Sequence, residues 1–255
     1  MADRPGHHPG SARSDTTLKP LEALERPYYA ALRPVVAELV RRGVRPNAIT
    51  TVGTGLVLVS AVAYAAGSVR LGGALLLLSG LLDTLDGQVA RGGAMVTKFG
   101  AFYDSTLDRI GDGATFTGIG AYLLLAPDVA WRVPAAIVCM VAILSSLLVS
   151  YARARAEGLG LECKVGIAQR AERIVGLGGL SLIVGAGPRA LVLEAVVTLL
   201  AAFSIVTVVQ RFLYVYRQAE GASPHGMEPE ATAADGGPRK RETPARPLDS
   251  FAKGS

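Results

Sequence analysis

Four aspartates stand in two otherwise apolar stretches of the chain. The first stretch reads Leu82-Asp83-Thr84-Leu85-Asp86-Gly87, and the second reads Phe102-Tyr103-Asp104-Ser105-Thr106-Leu107-Asp108. Asp83 and Asp86 are three residues apart and Asp104 and Asp108 are four apart, so each pair shares one face of a helix. The connection between the stretches is short. The two helices are therefore antiparallel neighbours, with both pairs near the same end. Carboxylates gathered within apolar helices repel one another and resist desolvation, so they need cations. Oxygen ligands without His or Cys suit a hard ion such as Mg²⁺ or Mn²⁺. Four carboxylates can hold two such ions, and an ion pair of this kind clamps the attacking and leaving oxygens of a phosphoryl transfer.

The residues around the aspartates have two readings each. For Asp83 and Asp86 alone, solvated helix-end carboxylates explain the pattern as well. Four aspartates at this spacing inside apolar helices speak against that. Asp112 follows on the same helix as Asp108 and reads as a supporting or solvent-cavity residue. Gly87, Ala90 and Gly100 either admit a bulky group against the backbone or let helices pack closely. Arg91 is either a fixed cation for a phosphate or an anchor at the membrane surface.

The elements that must carry these residues are membrane helices. Half of the 255 residues are hydrophobic and only 18% are charged. A soluble domain usually has about 25% charged residues. The net charge of +5 does not point to nucleic acid, because the basic residues sit at the ends of apolar runs. Six apolar segments cover about 48–66, 71–89, 99–125, 133–151, 174–184 and 191–215, the fifth extending back through Arg170. The expectation is an all-α integral membrane protein of six transmembrane helices. An amphipathic helix over 18–45 precedes them and lies on the membrane surface. One end of the bundle holds Arg91, Lys98, Arg153, Arg155, Lys164, Arg170, Arg173 and Arg217, and the other only Arg70, Arg132 and Arg189. That asymmetry puts the aspartate end and both termini in the cytoplasm, in a multi-pass protein of the cell membrane. Residues 1–18 and 219–255 read as disordered tails around a membrane domain over 19–218. In the second tail, Arg239-Lys240-Arg241 could touch anionic lipid. No cleaved signal peptide is readable, and Cys139 and Cys163 stand in unrelated contexts.

The run Asp83-x2-Asp86-Gly87-x2-Ala90-Arg91-x8-Gly100-x3-Asp104-x3-Asp108 resembles the signature of the CDP-alcohol phosphotransferases at all eight fixed positions. The resemblance covers about residues 28–218. It implies that Asp83, Asp86, Asp104 and Asp108 bind two divalent ions, Mg²⁺ or Mn²⁺. It further implies that Gly87, Ala90, Arg91 and Gly100 hold the CDP part of a donor such as CDP-diacylglycerol. Asp108 would take the proton of the acceptor hydroxyl, which attacks the β-phosphorus and releases CMP. The family also tends to form homodimers.

A second polar cluster bears on the acceptor. It contains Ser150-Tyr151-Ala152-Arg153-Ala154-Arg155-Ala156-Glu157, then Gln169-Arg170-Ala171-Glu172-Arg173, then Arg211. Converging guanidinium forks suit a phosphorylated alcohol. This stretch looks like the corresponding region of the phosphatidylinositol-phosphate synthases and their archaeal-lipid counterparts. That likeness assigns Ser150, Arg153, Arg170, Arg173 and Arg211 to inositol 1-phosphate. Phosphatidylglycerophosphate synthases share the main signature and take glycerol 3-phosphate, so a phosphate site alone does not separate the two. A cation transporter would use the acidic cluster differently, but the far side offers only Asp128. A non-catalytic scaffold is disfavoured because no signature residue is lost.

Overall fold

The computed structural model describes residues 19–163, 165–166 and 170–221. Among them there are seven α-helices and no strand. The helices are α1 (Lys19–Arg41), α2 (Pro46–Ala65), α3 (Val69–Gly92), α4 (Lys98–Leu125), α5 (Arg132–Gly158), α6 (Arg170–Ile183) and α7 (Leu191–Gly221), with a 3-10 turn Pro188–Ala190 before α7. Lys164, Gln169, the first tail and residues 222–255, including the 239–241 basic run, lie outside the described residues, whereas residues 219–221, expected in the second tail, continue α7 as helix.

Local chemistry sets the boundaries. Pro46 opens α2, where its missing N–H is not needed. Gly67, at φ +80, lets the chain reverse from α2 into α3 within a few residues. Thr97 caps α4 by accepting a hydrogen bond from the Gly100 N–H at 2.9 Å. Pro27 and Pro34 lie inside α1, both on its exposed side. Its apolar residues Leu32, Val36 and Val40, at spacing i, i+4, i+8, instead meet a cluster built on Ile49, Leu85 and Val89.

The bundle packs α3 against α2 and α6, α4 against α2 and α5, and α7 against α5. Glycines permit the closest crossings. A Cβ on Gly118 would stand 2.2 Å from the Ala61 carbonyl oxygen, and one on Gly73 would stand 2.6 Å from the Gly178 carbonyl oxygen. Small residues let membrane helices approach this closely. The main core, with Tyr64, Ile119, Leu123, Leu193 and Val197 fully buried, fills the half of the bundle away from the aspartates.

Large apolar side chains cover the outside: Met140, Ile183 and Phe212 are 67%, 75% and 73% exposed. Such a surface belongs in lipid, and the protein is membrane-embedded. Three helical stretches are long and apolar enough to cross a membrane: Pro46–Ala65, Arg132–Gly158 and Pro188–Glu220. Among the described residues, the remaining expected spans fall on α3, α4 and α6. α3 and α4 carry the acidic residues. The fifth segment extends back through Arg170 as expected, α6 being described over Arg170–Ile183.

Candidate functional site

The aspartates come together because α3 and α4 are joined by a tight turn. α3 carries Asp83 and Asp86 to its end at Gly92, Ala94 turns the chain at φ +52, and the Thr97 cap starts α4. One oxygen each of Asp83, Asp104 and Asp108 lies within 4.8 Å of the others. Asp86 is turned toward α2 and is 6% exposed, with Thr50 Oγ1 donating to its Oδ2 at 2.6 Å. It still borders a gap of about 10 Å³ that Asp83, Asp108 and Arg170 share.

This donor set fits a hard divalent cation. It offers only carboxylate oxygens, and the Asp104 Oδ1 is buried with no hydrogen-bond partner. A buried carboxylate oxygen without a donor is stabilised by a nearby positive charge. Part of that charge is the protein's own. Arg170 Nη1 lies 2.6 Å from Asp83 Oδ1 and 2.8 Å from Asp108 Oδ1. Arg109 Nη1 stands 3.8 Å from Asp108 Oδ2.

Two cavities meet the cluster. The first, about 150 Å³, touches it at Asp86 and Asp104 and is walled by Gly87, Ala90, Arg91 and Gly100. Both glycines sit in tight surroundings. A Cβ on Gly87 would come within 3.2 Å of an Arg91 guanidinium nitrogen, and one on Gly100 within 3.0 Å of Thr97 Oγ1. The second cavity, about 500 Å³, touches the cluster at Asp108. Ser150, Arg153, Arg170, Arg173 and Arg211 all line it, drawn from α5, α6 and α7.

The arginines of the second cavity are held to different degrees. Arg173 is 6% exposed, and its Nη2 donates to Asp112 Oδ2 at 2.8 Å. Its Nη1 donates to Ser146 Oγ, and that hydroxyl donates to the same Asp112 oxygen at 2.8 Å. Arg211 uses its guanidinium on backbone: Nε donates to the Val165 carbonyl at 2.9 Å and Nη1 to the Val149 carbonyl. It thereby ties the segment after α5 to α5 and α7. Gly166 in that segment has φ +140, and a Cβ there would be 2.4 Å from Thr207 Cγ2. Arg153 is exposed and pairs with Glu157 one turn on, at 2.8 Å.

Sequence reasoning missed Thr50 and Ser146. Both are hydroxyls in apolar runs, and nothing in their spacing distinguishes them from ordinary helix residues. The backbone partners of Arg211 were equally unreadable, because the segment that supplies one of them lies 46 residues away.

A sequence model described as CDP-alcohol phosphatidyltransferase matches residues 44–212. The chain is 39% identical over 193 residues to the archaetidylinositol phosphate synthase of Methanothermobacter thermautotrophicus, covering 73% of this chain and 93% of that one. It is 37% identical over 210 residues to the phosphatidylinositol phosphate synthase of Cutibacterium acnes, covering 78% of this chain and 99% of the relative. A crystal structure of the Mycobacterium tuberculosis phosphatidylinositol phosphate synthase with CDP-DAG bound superposes with a TM-score of 0.64 at 33% identity, covering 72% of this chain and 92% of that chain. A second structure of the same protein, in complex with manganese and citrate, gives a TM-score of 0.64 at 33% identity, over 72% and 88% of the two chains.

Proposed function

The chain belongs to the CDP-alcohol phosphatidyltransferase family, and we propose that it transfers the phosphatidyl group of CDP-diacylglycerol to inositol 1-phosphate, releasing CMP. It is an enzyme of phospholipid synthesis. One observation carries the reading: a carboxylate cluster borders two cavities, a small one with the signature glycines and a larger one rich in arginine. The inositol-phosphate acceptor is further supported by two relatives at 39% and 37% identity that are synthases of that kind.

The residues divide the work as follows. Bound to Asp83, Asp86, Asp104 and Asp108, the Mg²⁺ or Mn²⁺ ions supply positive charge against the donor's diphosphate; the manganese found in a related structure supports this chemistry. Gly87, Ala90, Arg91 and Gly100 hold the CDP part in the smaller cavity. Ser150, Arg153, Arg170 and Arg173 hold the acceptor's phosphate in the larger one, with Arg211 shaping its wall. Asp108 accepts the hydroxyl proton as the acceptor oxygen bonds to the β-phosphorus. The bond from that phosphorus to the bridging oxygen breaks, and CMP departs with its electron pair. Positioning and charge carry most of such a transfer.

The remaining parts of the proposal concern setting. The domain spans 19–218 and crosses the cell membrane six times, with α1 on its surface. The active site and both ends of the chain face the cytoplasm, in keeping with the basic residues clustered at the aspartate end. The enzyme works as a homodimer, which the family resemblance implies.

The test uses purified protein in lipid nanodiscs with CDP-diacylglycerol, Mg²⁺ and one alcohol at a time. CMP release is expected with inositol 1-phosphate. Release with glycerol 3-phosphate alone would make the protein a phosphatidylglycerophosphate synthase, and no release with any alcohol would overturn the reading.

A further inference from the structure

Asp112 lies outside the eight-position signature, yet it stands behind two arginines of the larger cavity. Its Oδ2 accepts from Arg173 Nη2 at 2.8 Å and from Ser146 Oγ at 2.8 Å. Its Oδ1 lies 3.8 Å from Arg170 Nε. Arg173 also donates to Ser146 through Nη1, so Arg173, Ser146 and Asp112 close a ring of hydrogen bonds spanning α4, α5 and α6. The Nε atoms of both Arg170 and Arg173 are buried without a hydrogen-bond partner.

We propose that Asp112 is a positioning residue: through Arg173 and Ser146 it fixes the guanidinium plane that receives the anionic group of the acceptor. This rests on the assignment of the larger cavity to a phosphorylated alcohol. A guanidinium recognises an oxyanion through a planar fork of N–H groups, so its orientation matters as much as its charge. At 6% exposure Arg173 has little water to orient it, and the protein must do so. A buried arginine beside several carboxylates also has a choice of partners. Asp112 occupies Arg173 from one side, while Arg170 pairs with Asp83 and Asp108. Asp108 therefore has one close cation of this pair rather than two, and Arg173 keeps its orientation toward the cavity.

A second role for Asp112 predicts the opposite result. If the carboxylate only lowered the positive potential of the cavity, removing its charge would tighten anion binding. If it positions Arg173, removing it loosens binding although the cavity becomes more positive. The experiment is calorimetric titration of inorganic phosphate into the full-length protein in nanodiscs, for the wild type, Asp112→Asn and Ser146→Ala. The serine variant keeps every charge and removes only the hydroxyl, and it covers the case in which Asp112→Asn fails to fold. Positioning predicts that phosphate binding weakens about tenfold in Asp112→Asn. It predicts a smaller weakening of the same sign in Ser146→Ala. In turnover, the KM for the phosphorylated acceptor rises while the KM for CDP-diacylglycerol is unchanged, which a general loss of structure would not produce. Unchanged or tighter phosphate binding in Asp112→Asn overturns the proposal, as does a wild type that binds no phosphate. Because the probe is inorganic phosphate, these outcomes are independent of which alcohol the enzyme uses.

Discussion

Arg170 bridges Asp83 and Asp108, one guanidinium nitrogen lying 2.6 Å from an oxygen of the first and 2.8 Å from an oxygen of the second. Three helices meet at that nitrogen, since Asp83 is on α3, Asp108 on α4 and Arg170 at the start of α6. α6 thus delivers a cation into a group of carboxylates that would otherwise repel one another.

Replacing Arg170 tests this bridge. Arg170→Ala should lower stability by about 1–3 kcal/mol, because partly buried carboxylates lose their donor. Added Mg²⁺ should then raise the melting temperature more in the variant than in the wild type, since the ion no longer shares Asp83 and Asp108 with a guanidinium. Equal increments in the two proteins would show that Arg170 and the metal do not use the same oxygens.

Asp108 is the acidic residue that touches both the cluster and the arginine-lined cavity. Asp108→Asn should reduce CMP release by about 100-fold or more, the loss expected for a general base. CDP-diacylglycerol binding should persist, as measured by retention of labelled donor. Turnover within a few-fold of wild type would remove Asp108 from the proton transfer.

Gly87 offers a test of the smaller cavity alone. A methyl group there would press on the Arg91 guanidinium at 3.2 Å. Gly87→Ala should raise the KM for CDP-diacylglycerol about tenfold, roughly 1.4 kcal/mol. The KM for the acceptor should stay put, and initial rates with each substrate varied in turn will show it.

Gly118 lies far from the chemistry at the crossing of α2 and α4. A Cβ at that position would stand 2.2 Å from the Ala61 carbonyl oxygen, so the helices must separate to admit it. Gly118→Ala should cost about 1–3 kcal/mol of stability. Thermal unfolding should register the loss, with substrate KM values unchanged in the fraction that remains folded.

Much of this was legible in the sequence, for reasons particular residues make plain. The pairs Asp83/Asp86 and Asp104/Asp108 announce a shared helix face through their spacing, and the short link announces that the faces meet. The extension of the fifth segment back through Arg170 was readable because charge gives way to an apolar run there. The orientation of Asp86 toward Thr50 was not, since the partner lies 36 residues away in an unmarked apolar helix. Nor was the division among the arginines. Arg153, Arg173 and Arg211 look equivalent in sequence, yet one is exposed beside Glu157, one is locked by Asp112, and one is spent largely on carbonyls. Contacts between distant helices decide this, and no local pattern records them.

The two cavities reach the carboxylates at different places, one at Asp86 and Asp104 and the other at Asp108. With the donor in the first and the acceptor in the second, as proposed, the two can be in residence together, and neither needs to vacate the site for the other. That arrangement favours a single displacement through a ternary complex. Such a reaction leaves no lipid attached to the protein and inverts the configuration at phosphorus.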